Sequence, residues 1–152
     1  MSKLTEAISF RLTQDLSKSA AITYDNMRSY YEHYGVGWQE SKILEQIVDL
    51  DNWDILCDGQ LIGALRLSFD GDSCWLRDLQ IIKDFQNKGI GGAVLAEAKR
   101  RVEESGAYRL MLKVFKISPA YRLYDKFGFT LTNEDDRFYY MELDVIKKSE
   151  KL

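Results

Sequence analysis

The spacing of apolar and polar positions changes several times along the chain, and each change marks an element. Ala7-Ile8-Ser9-Phe10-Arg11-Leu12 alternates, which predicts a half-buried first strand. Thr13 is the expected N-cap of a helix with Asp15 in its first turn, and Leu16, Ala20, Tyr24, Met27 and Tyr31 then recur at helical spacing. The aromatic-rich stretch Tyr30-Tyr31-Glu32-His33-Tyr34-Gly35-Val36-Gly37-Trp38 interrupts that helix with two glycines. A second helix is expected from Glu40 to Val48, burying Ile43, Leu44, Ile47 and Val48.

Strand-like runs follow from Trp53 to Cys57, Leu61 to Phe69 and Cys74 to Ile82, joined by Asp58-Gly59 and Asp70-Gly71. Asp-Gly between alternating runs is a strong hairpin signal, so these three strands should form an antiparallel meander. Ile90, Val94, Ala98 and Val102, with Leu95 beside them, line one face of a third helix that ends at Ser105-Gly106. Arg109 to Phe115 is a fifth strand, parallel to the fourth because a helix joins them. Ser118 as N-cap, Pro119 as first residue and Gly128 as C-terminal cap frame a fourth helix. Phe129 to Asn133 and Arg137 to Leu143 make a last hairpin about Glu134-Asp135-Asp136, and a Lys- and Glu-rich tail after Val145 is expected to fray.

With no internal repeat and no linker, residues 1–152 are expected to be a single domain of mixed α+β class. A formal charge of −3, from 24 acids and 21 bases, is no footprint for nucleic acid or an anionic membrane. No apolar run approaches the ~18 residues of a membrane span, and the N-terminus lacks a signal-peptide pattern. Cys57 and Cys74 lie on different predicted strands without spaced partners for a metal. They read as reduced thiols of a soluble, cytoplasmic protein, and no metal site is expected.

The chemistry concentrates between residues 79 and 129. Leu79-Gln80-Ile81-Ile82 leads through a polar turn into Gln86-Asn87-Lys88-Gly89-Ile90-Gly91-Gly92, where the third helix begins. Glycines there admit close backbone approach, and the bare amides of a helix start favour an anion, most often phosphate. A dinucleotide fingerprint would need a third glycine where Val94 stands, and no Gly-Lys-Ser/Thr of a P-loop follows. The pattern Q-x-x-G-x-G/A, filled by Gln86, Gly89 and Gly91, resembles the pyrophosphate-binding motif of the GNAT superfamily of acyl-CoA-dependent N-acyltransferases. Tyr124-Asp125-Lys126-Phe127-Gly128-Phe129 resembles the same family's closing Tyr-x-x-x-Gly-Phe signature. The order of elements, β-α-α-β-β-β-α-β-α-β-β, matches over nearly the whole chain.

The resemblance implies a GNAT fold: a central, mixed, mostly antiparallel sheet of six to seven strands with four helices, strands four and five parallel and splayed. It implies acetyl transfer from acetyl-CoA to a primary amine of a small molecule or peptide by direct attack. It places the pyrophosphate on Gln86, Asn87, Lys88, Gly89, Ile90, Gly91 and Gly92, and the pantetheine arm along Leu79, Gln80 and Ile81. Tyr124 takes the position of the tyrosine that often protonates the leaving thiolate in this family, and a helical i, i+3, i+4, i+7 face of Ala120, Leu123, Tyr124 and Phe127 turns it toward the sheet. Two departures stand out. Lys116-Ile117-Ser118 replaces the family's asparagine before Pro-Ala, leaving Ser118 to substitute, and Lys113 stands where some members carry a strand glutamate. The general base therefore stays open among Asp78, His33 and a water chain. Tyr30, His33, Tyr34 and Trp38, with Glu32 and Glu40 nearby, are the expected acceptor-binding residues and suit a cationic or partly apolar amine. A monomer or homodimer is expected. The competing reading is a non-catalytic acyl-CoA sensor or interaction module.

Overall fold

The computed structural model describes residues 7–145, so the expected fraying of the tail lies outside the described residues. The chain divides into two compact units. One comprises the chain up to Arg66 together with Asp78–Val94, and the other Leu67–Arg77 with the chain from Leu95 onward. Among the described residues the elements run β1 (Ile8–Leu12), α1 (Leu16–His33), α2 (Glu40–Ile47), β2 (Asp51–Cys57), β3 (Gln60–Asp70), β4 (Ser73–Ile81), a 3-10 turn (Lys83–Phe85), α3 (Ile90–Ser105), β5 (Arg109–Phe115), α4 (Ala120–Phe127), β6 (Thr130–Glu134) and β7 (Phe138–Asp144). The seven strands are hydrogen-bonded in the order β1-β2-β3-β4-β5-β7-β6. β1 pairs antiparallel with β2, β7 antiparallel with β5 and β6, and β4 parallel with β5. The parallel register covers only Ser73–Trp75 against Arg109–Met111. This is the mixed sheet with four helices expected from the order of elements.

Where local boundaries differ, a specific hydrogen bond decides the outcome. Thr13 is not the cap of α1: its amide donates to the carbonyl of Asn52 and so prolongs the β1–β2 ladder by one residue. The cap falls instead to Asp15, whose carboxylate accepts from the amide of Lys18 at 3.2 Å. Val48 lies past the last turn of α2 and is 56% exposed, whereas Ile43 and Ile47 are buried. Pro119, not Ser118, occupies the cap position of α4, but the Ser118 hydroxyl still accepts from the amide of Ala120 at 3.1 Å. The last hairpin sits one residue later than expected, because Asp135 Oδ1 accepts from the amides of both Arg137 and Phe138 and centres the turn there.

In the first unit, Ala20 of α1 and Ile43 and Ile47 of α2 form a core cluster covered by Leu16, Tyr24, Tyr31, Trp38, Leu44 and Leu50. In the second, Leu110, Leu112 and Val114 of β5 are buried on one side of the strand, and Tyr124 and Phe129 pack ring edge to ring face at 5.7 Å. The β2–β3 turn has positive φ at both Asp58 (52°) and Gly59 (82°), the geometry that matches strand twist in a two-residue hairpin. Gly63, in the middle of β3, has a different reason to be glycine. A Cβ there would lie 2.1 Å from the carbonyl oxygen of Gln80 on β4. Because the obstacle is backbone, a side chain can fit only if the strands part. Gly63→Ala should therefore cost about 3 kcal/mol, the upper end of overpacking penalties, read as a lower urea midpoint at unchanged m-value. Wild-type stability in this variant would show that β3 and β4 are not so closely apposed.

Candidate active site

The first unit holds the turn singled out by the glycine motif. The amides of Phe85 and Gln86 close back on the carbonyls of Ile82 and Lys83, after which Asn87 (φ 61°) and Gly89 (φ 83°) adopt left-handed conformations and α3 begins at Ile90. Asparagine tolerates this region better than most side chains, and glycine takes it without strain. Gln86, Asn87, Lys88 and Gly89 are exposed, while Ile90 is buried and anchors the helix start. A Cβ added at Gly92 would meet no atom within 4 Å. Among the described residues no atom beyond the helix's own backbone crowds that position, although glycine in a helix costs roughly 1 kcal/mol relative to alanine. Helix starts leave their first amides without intrahelical partners, and over this one the space at Gly92 is open.

Beneath α1 lies a polar cluster that the strand and helix patterns conceal. Arg66, in the middle of β3, is completely buried. Its Nε donates to Asn52 Oδ1 (2.8 Å), Nη1 to Thr23 Oγ1 (2.7 Å) and Asp78 Oδ2 (2.9 Å), and Nη2 to Ser19 Oγ (2.6 Å). Asn52 in turn donates to the carbonyls of Ile47 and Leu50, both at 2.8 Å, tying in the C-terminus of α2. The candidate base Asp78 has its other oxygen, Oδ1, on Gln80 Nε2 at 3.3 Å, and its side chain is 20% exposed. Both carboxylate oxygens are thus engaged, and the buried guanidinium makes Asp78 a counter-ion first. The Ile81 carbonyl, expected on the pantetheine path, accepts the side-chain amides of Asn26 and Gln86, each at 2.9 Å. Sequence reading missed Arg66, Asn26, Asn52, Ser19 and Thr23. One signal was present: a lone arginine in the apolar run Leu61-Ile62-Gly63-Ala64-Leu65-Arg66-Leu67.

The aromatic residues between 30 and 38 separate into packing and exposed positions. Tyr31 and Trp38 meet at 5.5 Å and lie against the α1–α2 core cluster. Tyr34 follows the last turn of α1, its amide donating to the Tyr30 carbonyl, and its ring meets the exposed His33 edge-on at 4.8 Å. Tyr30 is half-buried. His33 has no contact to Asp78 among those described.

In the second unit, α4 carries Tyr124, buried to 8% exposure on the apolar face of Ala120, Leu123 and Phe127. The Tyr124 carbonyl accepts from the amides of both Gly128 and Phe129, the first at a left-handed cap with φ 118°. The Tyr-x-x-x-Gly-Phe spacing therefore closes the helix end and fixes the ring at the same time. Lys116, in the stretch without the family's asparagine, pairs with Glu134 at 2.6 Å and lies over the Tyr139 ring. Lys113 rests over the Phe138 ring at 4.5 Å. Among the described residues no group of three or more His, Cys, Asp or Glu could hold a metal ion, and no helix is long and apolar enough to cross a membrane.

Burial, and then the charge of Asp78, push the Tyr31 phenol from 10.0 up to about 12, with Arg66 acting in the opposite sense. A phenol with a raised folded-state pKa stabilises the protein fully below its unfolded pKa, near pH 10. Above it, the unfolded chain loses a proton that the folded chain keeps, so that stability is lost by about pH 12. Tyr31→Phe should show a shallower fall in thermal midpoint between pH 10 and pH 12 than wild type. Identical slopes would mean that the phenol is not held neutral.

The chain matches the model of the Acetyltransferase (GNAT) family over residues 19–129. No curated protein matches it by sequence. Among solved structures it resembles the PaiA N-acetyltransferase of Thermoplasma acidophilum in complex with coenzyme A, at 22% identity over 90% of this chain and 98% of that one, TM-score 0.70. Ard1 from Thermoplasma volcanium is similar at 18% identity over 93% and 99% of the two chains, TM-score 0.72. The ribosomal-protein-S18-alanine N-acetyltransferase of Escherichia coli is similar at 18% identity over 95% and 98%, TM-score 0.70. These likenesses establish the fold, and the family model covers most of the chain, including the glycine turn and the Tyr124 helix. This chain belongs to the GNAT acetyltransferase family.

Proposed function

We propose that this chain is an N-acetyltransferase that moves the acetyl group of acetyl-CoA to a primary amine of a small molecule or peptide by direct attack. The observation that carries this reading is the turn before α3: left-handed Asn87 and Gly89, then a helix start with open space over Gly92, inside the family match. The match runs from residue 19 to residue 129 and so takes in parts of both compact units, which supports treating the chain as one domain. The buried free thiols of Cys57 and Cys74 suit the reducing cytoplasm assigned to it here.

In this reading the amides from Asn87 to Gly92 hold the pyrophosphate, and the exposed ammonium of Lys88 adds charge. The backbone of Leu79 and Gln80 serves the pantetheine arm. Ile81 contributes little through its carbonyl, which already has two donors. Tyr124 gives its phenolic proton to the sulfur as the carbon–sulfur bond breaks and the new carbon–nitrogen bond forms. A phenol of pKa ~10 still carries its proton when a thiolate of conjugate pKa ~8.5 appears. Ser118 can donate a hydrogen bond while its oxygen accepts from Ala120. Tyr30, His33, Tyr34 and Trp38 are assigned to the acceptor, with Trp38 serving mainly as a wall. Asp78 would receive the amine proton only through lone pairs left free by Arg66 and Gln80, so a water chain is the stronger route. That engagement of Asp78 is the one observation favouring the alternative, a CoA-binding module without turnover. Release of free thiol from acetyl-CoA with a panel of primary amines distinguishes the two.

Acetyl-CoA at ~100 times its dissociation constant should stabilise the folded chain by ~2.7 kcal/mol. Gly91→Val should abolish that thermal shift, because a branched Cβ bars phosphate from the amides. A full shift in this variant would overturn the pyrophosphate assignment.

Tyr124→Phe keeps the ring and its packing against Phe129 while deleting the acid. With any amine that supports turnover, kcat should fall by about 10²–10⁴, the usual worth of a general acid, at nearly unchanged acetyl-CoA affinity. Should kcat stay within about threefold with chemistry rate-limiting, Tyr124 has a packing role only.

A further inference from the structure

The Ile81 carbonyl ends β4 immediately before the phosphate turn, and two side-chain amides converge on it. Asn26 Nδ2 donates from the middle of α1 and Gln86 Nε2 from the turn itself, each at 2.9 Å. A carbonyl has two lone pairs, and here both are used. The same Asn26 nitrogen lies 3.1 Å from Gln80 Oε1, and Gln80 Nε2 donates onward to Asp78 Oδ1. The orientation of the Gln80 amide is thereby set, since its oxygen must face Asn26 and its nitrogen Asp78. A continuous polar chain runs from buried Arg66 through Asp78, Gln80 and Asn26 to Ile81 and Gln86, all within the first unit.

We propose that Asn26 is a positioning residue for the co-substrate: from α1 it locks the Ile81 carbonyl and, through it, the phosphate turn in the form that binds CoA. This rests on the CoA reading above but concerns a residue far from the glycine motif in sequence. Between Ile81 and α3 the chain reverses through the 3-10 turn and the left-handed Asn87. The direction it takes is set by the Ile81–Ile82 peptide plane, whose carbonyl is held by one donor from α1 and one from the turn while the Ile82 amide bonds the Ile62 carbonyl at 2.8 Å. Gln86 belongs to the turn and moves with it, so Gln86 alone cannot fix the turn to the rest of the unit. Asn26 can, because its backbone is part of an 18-residue helix. A turn already held in place loses less freedom on binding, and that difference appears as affinity.

The test is calorimetric titration with CoA of wild type, Asn26→Ala, Gln86→Ala and the double variant, with thermal midpoints of each. Asn26→Ala should bind CoA about five- to tenfold more weakly, the scale of one net hydrogen bond. Losses in the double variant should be smaller than the product of the two single losses, because the two donors restrain one carbonyl. A merely structural Asn26 would lower the thermal midpoint and leave the affinity of the folded protein at the wild-type value, which overturns the proposal. Should Asn26→Ala not fold, Asn26→Ser carries the test: it keeps a polar helix residue with a hydroxyl too short to reach Ile81, and the same loss or its absence decides. Absence of CoA binding in wild type would instead refute the acetyl-CoA reading itself.

Discussion

Burial of a guanidinium in the middle of β3 constrains the first unit more than any other interaction. An arginine removed from water survives only if its donors are matched and its charge is answered. Here four hydrogen bonds reach Ser19 and Thr23 on α1, Asn52 on β2 and Asp78 on β4, and Asp78 supplies the charge. Asn52 passes the connection on to the end of α2 by satisfying the Ile47 carbonyl, one of the groups that a helix C-terminus leaves without a partner. Two helices and three strands are therefore referred to one side chain. Such an arrangement adds little stability over an apolar core of similar volume, but removing one partner leaves the other's buried charge uncompensated.

The same constraint bears on the chemistry. A carboxylate can act as a base in proportion to how freely it can change its proton count. Asp78 Oδ2 is paired with a fully buried arginine and its Oδ1 accepts from Gln80, so both oxygens are already engaged. Its place on β4, hydrogen-bonded to Gln80, puts a carboxylate on the strand that leads into the glycine turn. Together with burial, which is the larger cause, that charge raises the Tyr31 phenol. Asp78, one of the candidate bases, is therefore also a member of the hydrogen-bonded cluster around Arg66.

The fold was legible in the sequence wherever the signal was local. Hairpins announced by Asp58-Gly59 and Asp70-Gly71, the Ile90-Val94-Ala98-Val102 stripe and the Gly128 cap all appear where the pattern put them. Errors came where two local signals competed and a tertiary bond chose between them, as when Thr13 was drawn into the β1–β2 ladder and Asp15 capped the helix instead. The glycine turn before α3 was legible because Gln86, Gly89, Gly91 and Gly92 lie within one short stretch of the chain. The polar cluster was not. Ser19, Thr23 and Asn26 form a polar stripe on α1, and periodicity alone assigns such a stripe to water. Only knowing that Arg66 and Gln80 lie opposite turns it into a buried face, and nothing local in the sequence states that pairing.

Glycines show how far the two kinds of information differ. Gly63 and Gly92 look alike in sequence, each a small residue within a regular element. In the structure a Cβ at Gly63 would strike the Gln80 carbonyl oxygen at 2.1 Å, so the fold itself excludes any larger residue. At Gly92 a Cβ would meet nothing, and the helix would gain from alanine. Packing therefore leaves the side chain at position 92 unconstrained, which is compatible with the close backbone approach that the proposed pyrophosphate site requires.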